Sequence, residues 1–148
     1  MDCVKLFSDG ACSKNPGPGG WACILKHKNH ELKLSGNAQL TTNNRMEITA
    51  IVEGLKALKK PCSLKIYTDS KYVVDAMNKG WAGKWQKNNW IKSDKKKAHN
   101  TDLWNELLLL IKPHETEFIW VKGHSGHPEN ELCDKIAVSE YKKLQKIK

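Results

Sequence analysis

The spacing of apolar residues changes near Asn43, and this change constrains the fold more than any other feature of the sequence. Before it, short apolar runs bounded by turn-forming residues predict strands. After it, five apolar residues follow the helical spacing i, i+3, i+4, i+7: Ile48, Ile51, Val52, Leu55 and Leu58. Thr42 or Asn44 is expected to cap this helix, and Pro61 lies beyond its end.

Three strands are predicted before this change. Residues 4–7 predict a strand that ends at residues 9–10, and residues 15–20 form a loop rich in glycine and proline. Residues 21–28 and 31–38 predict a hairpin. Because consecutive strands joined by a tight turn pair antiparallel, this part of the chain predicts an antiparallel sheet.

Strands and helices alternate over the rest of the chain. Strands are predicted at residues 63–68 and 116–121, and helices at residues 70–78, residues 101–111 and from Pro128 onward. Antiparallel strands followed by alternating strands and helices are typical of a mixed sheet with helices on its faces. We therefore expect one α/β domain over residues 1–148, with a five-stranded mixed sheet.

The net charge of +9 favours a polyanionic partner, although many soluble proteins are equally basic. The positions of the lysines are more informative than the total. Between residues 79 and 97, seven of the eight charged residues are lysines, and Asp94 is the exception. This basic segment is separate from the four acidic residues described below.

The five cysteines are an odd number without a C-x-x-C pair, which is typical of reduced thiols and predicts a cytoplasmic protein. The longest strongly apolar run, residues 107–111, is far shorter than the roughly 18 residues of a membrane span. The first residues lack a basic region followed by an apolar stretch, so we expect neither a secretory signal nor a membrane partner.

Four carboxylates come from four different predicted elements. Asp9 and Asp69 end apolar strands, where side chains leave the core while the backbone stays rigid. Glu47 lies in the first turn of the first long helix, and Asp134 in the second turn of the last. Each alone has a structural explanation, because aspartate is a common turn former and acidic residues favour helix N-termini. Together they predict a site for Mg²⁺, which prefers oxygen ligands.

A histidine, His124, lies in a glycine-flanked loop before the last helix. The ordinary pKa of a histidine, about 6.5, suits proton transfer, whereas the simpler interpretation is a surface histidine. A zinc site formed by His124, His127 and Cys133 is a rival interpretation, and it lacks an obvious fourth ligand.

Tryptophans lie among the lysines of the basic segment. Trp81 and Trp85 are four residues apart, so they would share one face of a helix. Flat rings can pack on sugars and bases while lysines contact phosphates, so we predict nucleic-acid binding for these two. Packing in the core, the commoner role of tryptophan, is predicted for the other four: Trp21, Trp90, Trp104 and Trp120.

Five stretches of the chain resemble the bacterial-type (type 1) ribonuclease H family, in order and at the expected separations. They are residues 7–12, 15–21, 41–47, 67–70 and 121–134. The resemblance covers almost the whole chain and implies the ribonuclease H fold, with a basic handle at about residues 80–100. It also implies a monomeric catalytic domain that cuts within the RNA strand of an RNA–DNA hybrid and leaves 5′-phosphate and 3′-hydroxyl ends.

The same resemblance implies roles for the candidate catalytic residues. Asp9 and Asp69 would bridge two Mg²⁺ ions, for which Mn²⁺ can substitute. Glu47 would complete one ion site and Asp134 the other. His124 would assist proton transfer and product release.

Substrate contacts follow from the resemblance as well. The channel for the DNA strand would be formed by Tyr72, Trp81, Trp85 and Ser93. The pocket for a DNA phosphate would include Thr42 and Asn100. The residues that contact the RNA strand and read its 2′-hydroxyl groups would be Cys12, Lys14, Asn15, Asn43 and Asn44. One position departs from the family: Leu40 stands where relatives commonly carry an arginine, so one charged contact to DNA is expected to be missing.

Two other functions are compatible with this fold. A noncatalytic binding module would lack at least one acidic ligand, and all four are present. A DNA-cutting nuclease of the transposase or resolvase kind would share the carboxylates. Such a nuclease would not need the surface around Asn15, Thr42, Asn43 and Asn44, or the handle.

Overall fold

The computed structural model describes residues 1–92, 94–122 and 126–145. In them, five strands form one sheet and five helices pack around it. The strands are β1 (Asp2–Cys12), β2 (Gly17–His27), β3 (His30–Thr41), β4 (Cys62–Thr68) and β5 (Glu115–Trp120). The helices are α1 (Asn43–Lys56), α2 (Lys71–Asn78), α3 (Trp81–Lys87), α4 (Thr101–Ile111) and α5 (Pro128–Gln145).

The sheet has the order β3-β2-β1-β4-β5. The first three strands pair antiparallel, while β4 pairs parallel with β1 and β5 pairs parallel with β4. Each parallel connection contains helices, as a crossover between parallel strands requires. The predicted α/β fold with a five-stranded mixed sheet is confirmed.

Strand β1 is longer than predicted, and the expectation that it ends at residues 9–10 was wrong. It continues because β2 remains paired with it until Gly19 stands opposite Cys12. Its parallel pairing with β4, in contrast, stops where Phe7 stands opposite Tyr67. Asp9 therefore lies beyond the parallel pair, but on a strand whose backbone is still held by β2.

Helix α1 starts where the sequence predicts and packs across β1 and β2. Thr42 caps it by accepting a hydrogen bond from the backbone N–H of Arg45 at 3.2 Å. Its buried residues include four of the predicted apolar positions: Ile48, Ile51, Val52 and Leu55. Because the helix begins at Asn43, Glu47 lies on its second turn rather than on its first.

Helices cover both faces of the sheet. Leu6 and Phe7 are neighbours on β1, so their side chains point to opposite faces. Leu6 belongs to the larger core, which includes the fully buried Trp104 of α4 and the apolar face of α1. Phe7 belongs to a smaller cluster with Cys133 of α5.

The tryptophans divide differently from the prediction. Three of them pack against the core as expected: Trp21, Trp90 and Trp104. Trp120 is 43% exposed, so the packing predicted for it was wrong. Trp85 packs one edge against Trp104, with ring centroids 6.2 Å apart, while it also lines an open pocket beside Trp81. The choice between packing and binding was therefore too simple for Trp85.

None of the described helices is both long enough and apolar enough to cross a membrane. All five cysteines are free thiols, as their number and spacing predict. Three of them are buried: Cys23, Cys62 and Cys133. These three act as small apolar residues of the core.

Candidate active site

Three carboxylates converge at the edge of the sheet where β1 and β4 separate. Asp9 is on β1, Asp69 follows the last residue of β4, and Glu47 is on α1. One oxygen from each carboxylate lies within 4.8 Å of the other two. Parallel strands bring their carboxyl ends to the same edge of a sheet, which explains why Asp9 and Asp69 are neighbours. The structure thus brings three of the predicted acids together.

Gly10 allows α1 to approach β1 closely enough for Glu47 to join the two aspartates. A Cβ atom at position 10 would lie 2.5 Å from the backbone nitrogen of Glu47 and 2.5 Å from the carbonyl carbon of Met46. The backbone N–H of Gly10 also donates to Glu47 Oε1 and, at 2.9 Å, to Asp9 Oδ1. A side chain at this position would push the helix, and Glu47 with it, away from Asp9.

The two innermost carboxylates are almost fully buried, Asp9 with 3% and Glu47 with 5% of its surface exposed. Burial, together with the charges of Asp69 and Asp134, raises the pKa of Asp9 to about 8. Burial and the adjacent Asp9 carboxylate raise the pKa of Glu47 well above its ordinary value. The metal-free site therefore favours protonated carboxyl groups, and a bound cation would stabilise their ionised form.

Asp134 lies on α5 at the border of the same site. It lines an open cavity of about 430 Å³ together with the three converging carboxylates, but it is outside their tight group. Asn130, one turn earlier on α5, is fully buried. Its side-chain amide donates to the carbonyl oxygens of Ser8 at 3.3 Å and Tyr67 at 3.0 Å. Asn130 thereby joins α5 to β1 and β4 and holds Asp134 near their ends.

The chemistry of the donor set fits a hard divalent cation. Carboxylate oxygens are the ligands that Mg²⁺ and Mn²⁺ prefer. Among the described residues, Asp9, Glu47 and Asp69 are the one group with metal-ligand spacing, and this group contains no histidine or cysteine. Cys133, a member of the rival zinc set, is fully buried, and its thiol donates to the carbonyl oxygen of Phe7 at 3.5 Å. The zinc interpretation therefore has less support than an oxygen-preferring cation.

The residues predicted to contact the RNA strand lie on one surface beside the carboxylates. Cys12, Asn43 and Asn44 line the same cavity. Asn15 is next to them, since its side-chain oxygen accepts a hydrogen bond from the backbone N–H of Asn43 at 2.9 Å. Lys14 is exposed, and its carbonyl oxygen accepts a hydrogen bond from the thiol of Cys12. Five residues from two separate segments, 12–15 and 43–44, thus form a continuous polar surface.

A hydrogen-bonded network connects three residues predicted to contact the DNA strand. The hydroxyl of Tyr72 accepts from Trp104 Nε1 at 3.0 Å and from the side-chain amide of Asn100 at 3.4 Å. The side-chain oxygen of Asn100 accepts from Arg45 at 3.3 Å. Thr42 is linked to the same arginine by the helix cap. Thr42, Tyr72 and Asn100 therefore lie in one region, where α1, α2 and α4 meet.

Arg45 lies at the centre of this network, and no sequence pattern predicts this position for it. Its guanidinium forms two hydrogen bonds with the carboxylate of Asp102, at 3.0 and 2.7 Å. A positive charge therefore lies beside Asn100 even though Leu40, which is 76% exposed, supplies none. Arg45 and Asp102 are 57 positions apart, so no local pattern indicates the pair.

Trp120 is a second residue whose position near the site was not predicted. Its indole nitrogen donates to the backbone carbonyl of Asp69 at 3.2 Å. The ammonium group of Lys71 lies 5.3 Å from the centre of its ring, and both Asp69 and Lys71 line the cavity. Trp120 thus supports the backbone of a residue that carries one of the converging carboxylates.

The remaining predicted residues belong to the basic segment or to the loop before α5. Trp81 and Trp85 lie on α3 with ring centroids 6.5 Å apart, and they line an open pocket together with Lys84. Ser93 and His124 lie outside the residues that the structure describes. The roles implied for these two residues therefore stay predictions.

Known proteins resemble this chain in both sequence and fold. The RNase H family matches residues 1–142. The Ribonuclease H of Caldanaerobacter subterraneus subsp. tengcongensis is 55% identical over 140 residues, which cover 95% of this chain and 92% of the relative. The crystal structure of LC9-RNase H1 is 27% identical, with a TM-score of 0.84 over 97% of this chain and 74% of that chain.

A more distant structure, LC11-RNase H1 in complex with an RNA/DNA hybrid, has a TM-score of 0.71 over 96% of this chain and 99% of that chain. At 16% identity, this likeness shows the fold alone. The family match spans nearly the whole chain, and the 55% identity covers most of both proteins. The chain therefore belongs to the RNase H family of ribonucleases.

Proposed function

We propose that this protein hydrolyses the RNA strand of RNA–DNA hybrids, cutting within the strand with the help of divalent metal ions. The observation that carries the proposal is the convergence of Asp9, Glu47 and Asp69 within 4.8 Å, two of them buried. The family and the relative named Ribonuclease H support RNA as the substrate. The complex of LC11-RNase H1 with an RNA/DNA hybrid supports the proposal that this RNA is paired with DNA in a hybrid.

The proposed metal ligands are the four carboxylates. Asp9 and Asp69 would be shared by two Mg²⁺ ions, with Glu47 completing one site and Asp134 the other, and Mn²⁺ can substitute. Held there, the ions would supply the Lewis acidity that phosphodiester hydrolysis needs at the attacking water and at the leaving oxygen.

The chain itself orients the ligand oxygens before the substrate arrives. The hydroxyl of Thr68 lies 3.4 Å from Glu47 Oε2, and the N–H of Gly10 donates to Oε1, so both oxygens of Glu47 are held. Asp69 and Asp134 are only half-buried, and they leave the cavity open on the side where a phosphodiester can enter. Buried, oriented carboxylates on one side and an open approach on the other suit hydrolysis of a long polymer.

Proton transfer and product release are assigned to His124, in the loop before α5. Cleavage would leave a 5′-phosphate and a 3′-hydroxyl. General acid–base assistance is typically worth about 10²–10⁴-fold, and water can substitute for part of it. His124→Ala should therefore slow turnover strongly without eliminating it, which single-turnover cleavage of a labelled hybrid would measure.

Recognition of RNA is proposed to rest on its 2′-hydroxyl groups. The polar surface beside the carboxylates includes the side-chain amides of Asn15, Asn43 and Asn44, which can both donate to and accept from a hydroxyl. The DNA strand would pass Tyr72, Trp81, Trp85 and Ser93, with a phosphate near Thr42 and Asn100. We expect the enzyme to act as a monomer.

The test compares three labelled substrates of one sequence in the presence of Mg²⁺: an RNA–DNA hybrid, duplex RNA and duplex DNA. We expect internal cuts in the RNA of the hybrid, with 5′-phosphate ends, and no cuts after chelation of the metal. Asp69→Asn should bind the hybrid without cutting it, which controls for a contaminating nuclease. Cleavage of duplex DNA, or full activity of Asp69→Asn, would contradict the proposal.

A further inference from the structure

A groove along α5 continues from the candidate active site. It has a volume of about 570 Å³, and it shares Asp134 with the catalytic cavity. Beyond Asp134, its described lining is Lys135, Val138, Ser139, Lys142 and Lys143. The charge of the surface therefore changes from negative at the carboxylates to positive along the helix. We call these five residues and Asp134 the α5 groove.

Two lysines of the α5 groove form no ion pair within the described part of the chain. Lys135 and Lys142 are seven positions apart, which places them on the same face of the helix, about 10 Å apart along its axis. Both are exposed. Lys143 differs, because its ammonium group lies 3.1 Å from the carboxylate of Glu140. Lys135 and Lys142 are thus available to contact an anion.

We propose that the α5 groove binds the phosphodiester backbone of the RNA strand beyond the phosphate that is cut. This inference rests on the proposed function. The strand that reaches the carboxylates is the strand that is cleaved, so the backbone that continues past Asp134 belongs to the RNA. Lysines neutralise phosphates, and the exposed hydroxyl of Ser139 can donate to a phosphate oxygen. Continuity with the catalytic cavity and opposite charge both favour this occupant.

The length of the groove indicates how many nucleotides it holds. Asp134 and Lys142 are eight residues apart on α5, which corresponds to about 12 Å along the helix axis. Successive phosphates of one strand advance about 3.4 Å along a duplex, so this distance spans about three to four nucleotides. Lys142 should therefore affect only hybrids that extend at least that far on one side of the cut.

The first experiment measures hybrid binding against salt concentration for Lys135→Ala/Lys142→Ala, in an Asp69→Asn background that does not cut. Each phosphate that the protein no longer neutralises lowers the slope of log K against log salt by about 0.7–0.9, so removing both lysines should lower it by about 1.4–1.8. Lys59→Ala/Lys112→Ala removes the same charge from exposed positions just before β4 and β5, at the opposite end of the sheet. Its slope should equal that of the parent.

The second experiment uses hybrids in which four ribonucleotides within a DNA strand confine the cut, with two or eight base pairs on either side. Here Lys135→Ala/Lys142→Ala is made without Asp69→Asn, so that the enzyme can cut. The double variant should raise KM for hybrids extended on one side, and its kcat should stay within about twofold of the wild-type value. The groove proposal would be overturned if this variant and Lys59→Ala/Lys112→Ala had equal salt-dependence slopes. It would also be overturned if the increase in KM did not depend on the length of the hybrid. Cleavage of the hybrid by the wild type would then still support the proposed function, and its absence would contradict that function instead.

Discussion

Gly10 and Glu47 are in such close contact that the absence of a side chain on the glycine decides where the glutamate lies. The N–H of Gly10 donates to Glu47 Oε1, and a Cβ atom on Gly10 would lie 2.5 Å from the backbone nitrogen of Glu47. Helix α1 is thereby held against β1 beside Asp9. The geometry of the carboxylate cluster thus depends on a backbone contact.

Gly10→Ala should displace α1 and weaken both folding and catalysis. We expect a loss of about 1–3 kcal/mol in the free energy of unfolding, which is typical of an overpacked core position. A displacement of about 1 Å at a catalytic group can cost about 100-fold in rate. Urea denaturation and Mg²⁺-dependent cleavage would measure both effects.

Gly83→Ala on α3 is the matched control for stability. A Cβ atom at position 83 would meet no atom within 4 Å, and alanine favours a helix over glycine by about 1 kcal/mol. This variant should therefore be as stable as the wild type or more so. If Gly10→Ala had wild-type stability and activity, the close contact between α1 and β1 at Gly10 would not be required for folding or catalysis.

Asp9→Asn should abolish cleavage and stabilise the metal-free protein. The pKa of Asp9 is raised from 3.8 to about 8 in the folded protein, so folding favours the protonated carboxyl group. The stability of the wild type should therefore fall as the pH rises from about 4 to about 8, because the unfolded chain releases this proton more readily. Asparagine removes the titrating group, and its advantage should grow across the same range.

Melting temperatures in EDTA at several pH values test this prediction. Each kcal/mol corresponds to about 2–4 °C for a protein of this size. Glu117→Gln, which removes an exposed carboxylate on β5, is the control and should not show the pH-dependent gain. A lower melting temperature for Asp9→Asn at pH 8 would mean that Asp9 stabilises the fold instead.

The sequence predicts the sheet and the three converging acids because both follow from local patterns. Apolar periodicity indicates the strands and helices, and the carboxyl ends of parallel strands meet at one edge. The predicted end of β1 was wrong because the true end depends on pairing with Gly19 of β2. No pattern within residues 4–12 reveals this pairing. Strand ends are set by neighbours that are distant in sequence.

The environments of individual side chains were harder to predict, for the same reason. Trp120 is exposed at the end of β5, which is an edge strand of the sheet, and no local pattern reveals which strand lies at the edge. The pairing of Arg45 with Asp102 and the contacts of Asn130 with two strands depend on how helices pack on the sheet. Composition and spacing carry no information about such contacts.

Trp120→Phe should slow the reaction without weakening substrate binding. Phenylalanine keeps an aromatic ring but removes the N–H that donates to the carbonyl of Asp69. A net loss of about 1 kcal/mol, typical of one hydrogen bond, corresponds to about a fivefold lower kcat if it acts on the position of Asp69. Trp81→Phe is the control, because it should change KM instead. A raised KM with normal kcat for Trp120→Phe would indicate direct contact with the substrate.

Leu40→Arg should strengthen binding of the DNA strand. Leu40 is 76% exposed, so the alternative that it packs into the fold has little support, and the melting temperature should not change. If Thr42 and Asn100 hold a DNA phosphate, the new guanidinium adds a charge-assisted contact of up to about 1.5–3 kcal/mol. KM should fall while kcat stays constant, since the contact holds substrate and transition state alike.

Leu40→Gln is the matched control for Leu40→Arg, because it is polar and of similar size but carries no charge. It should leave KM for the hybrid unchanged. A lower melting temperature with unaltered KM in Leu40→Arg would show that Leu40 supports the fold and that no phosphate lies nearby.

We propose that Asp9, Glu47 and Asp69 form the metal site of this enzyme. Titration of the protein with Mn²⁺, followed by the electron paramagnetic resonance signal of the free ion, tests it most directly. The wild type and Glu117→Gln should bind Mn²⁺ saturably, and Asp9→Asn should lose this binding while remaining folded. Equal Mn²⁺ binding by the wild type and Asp9→Asn would contradict the claim.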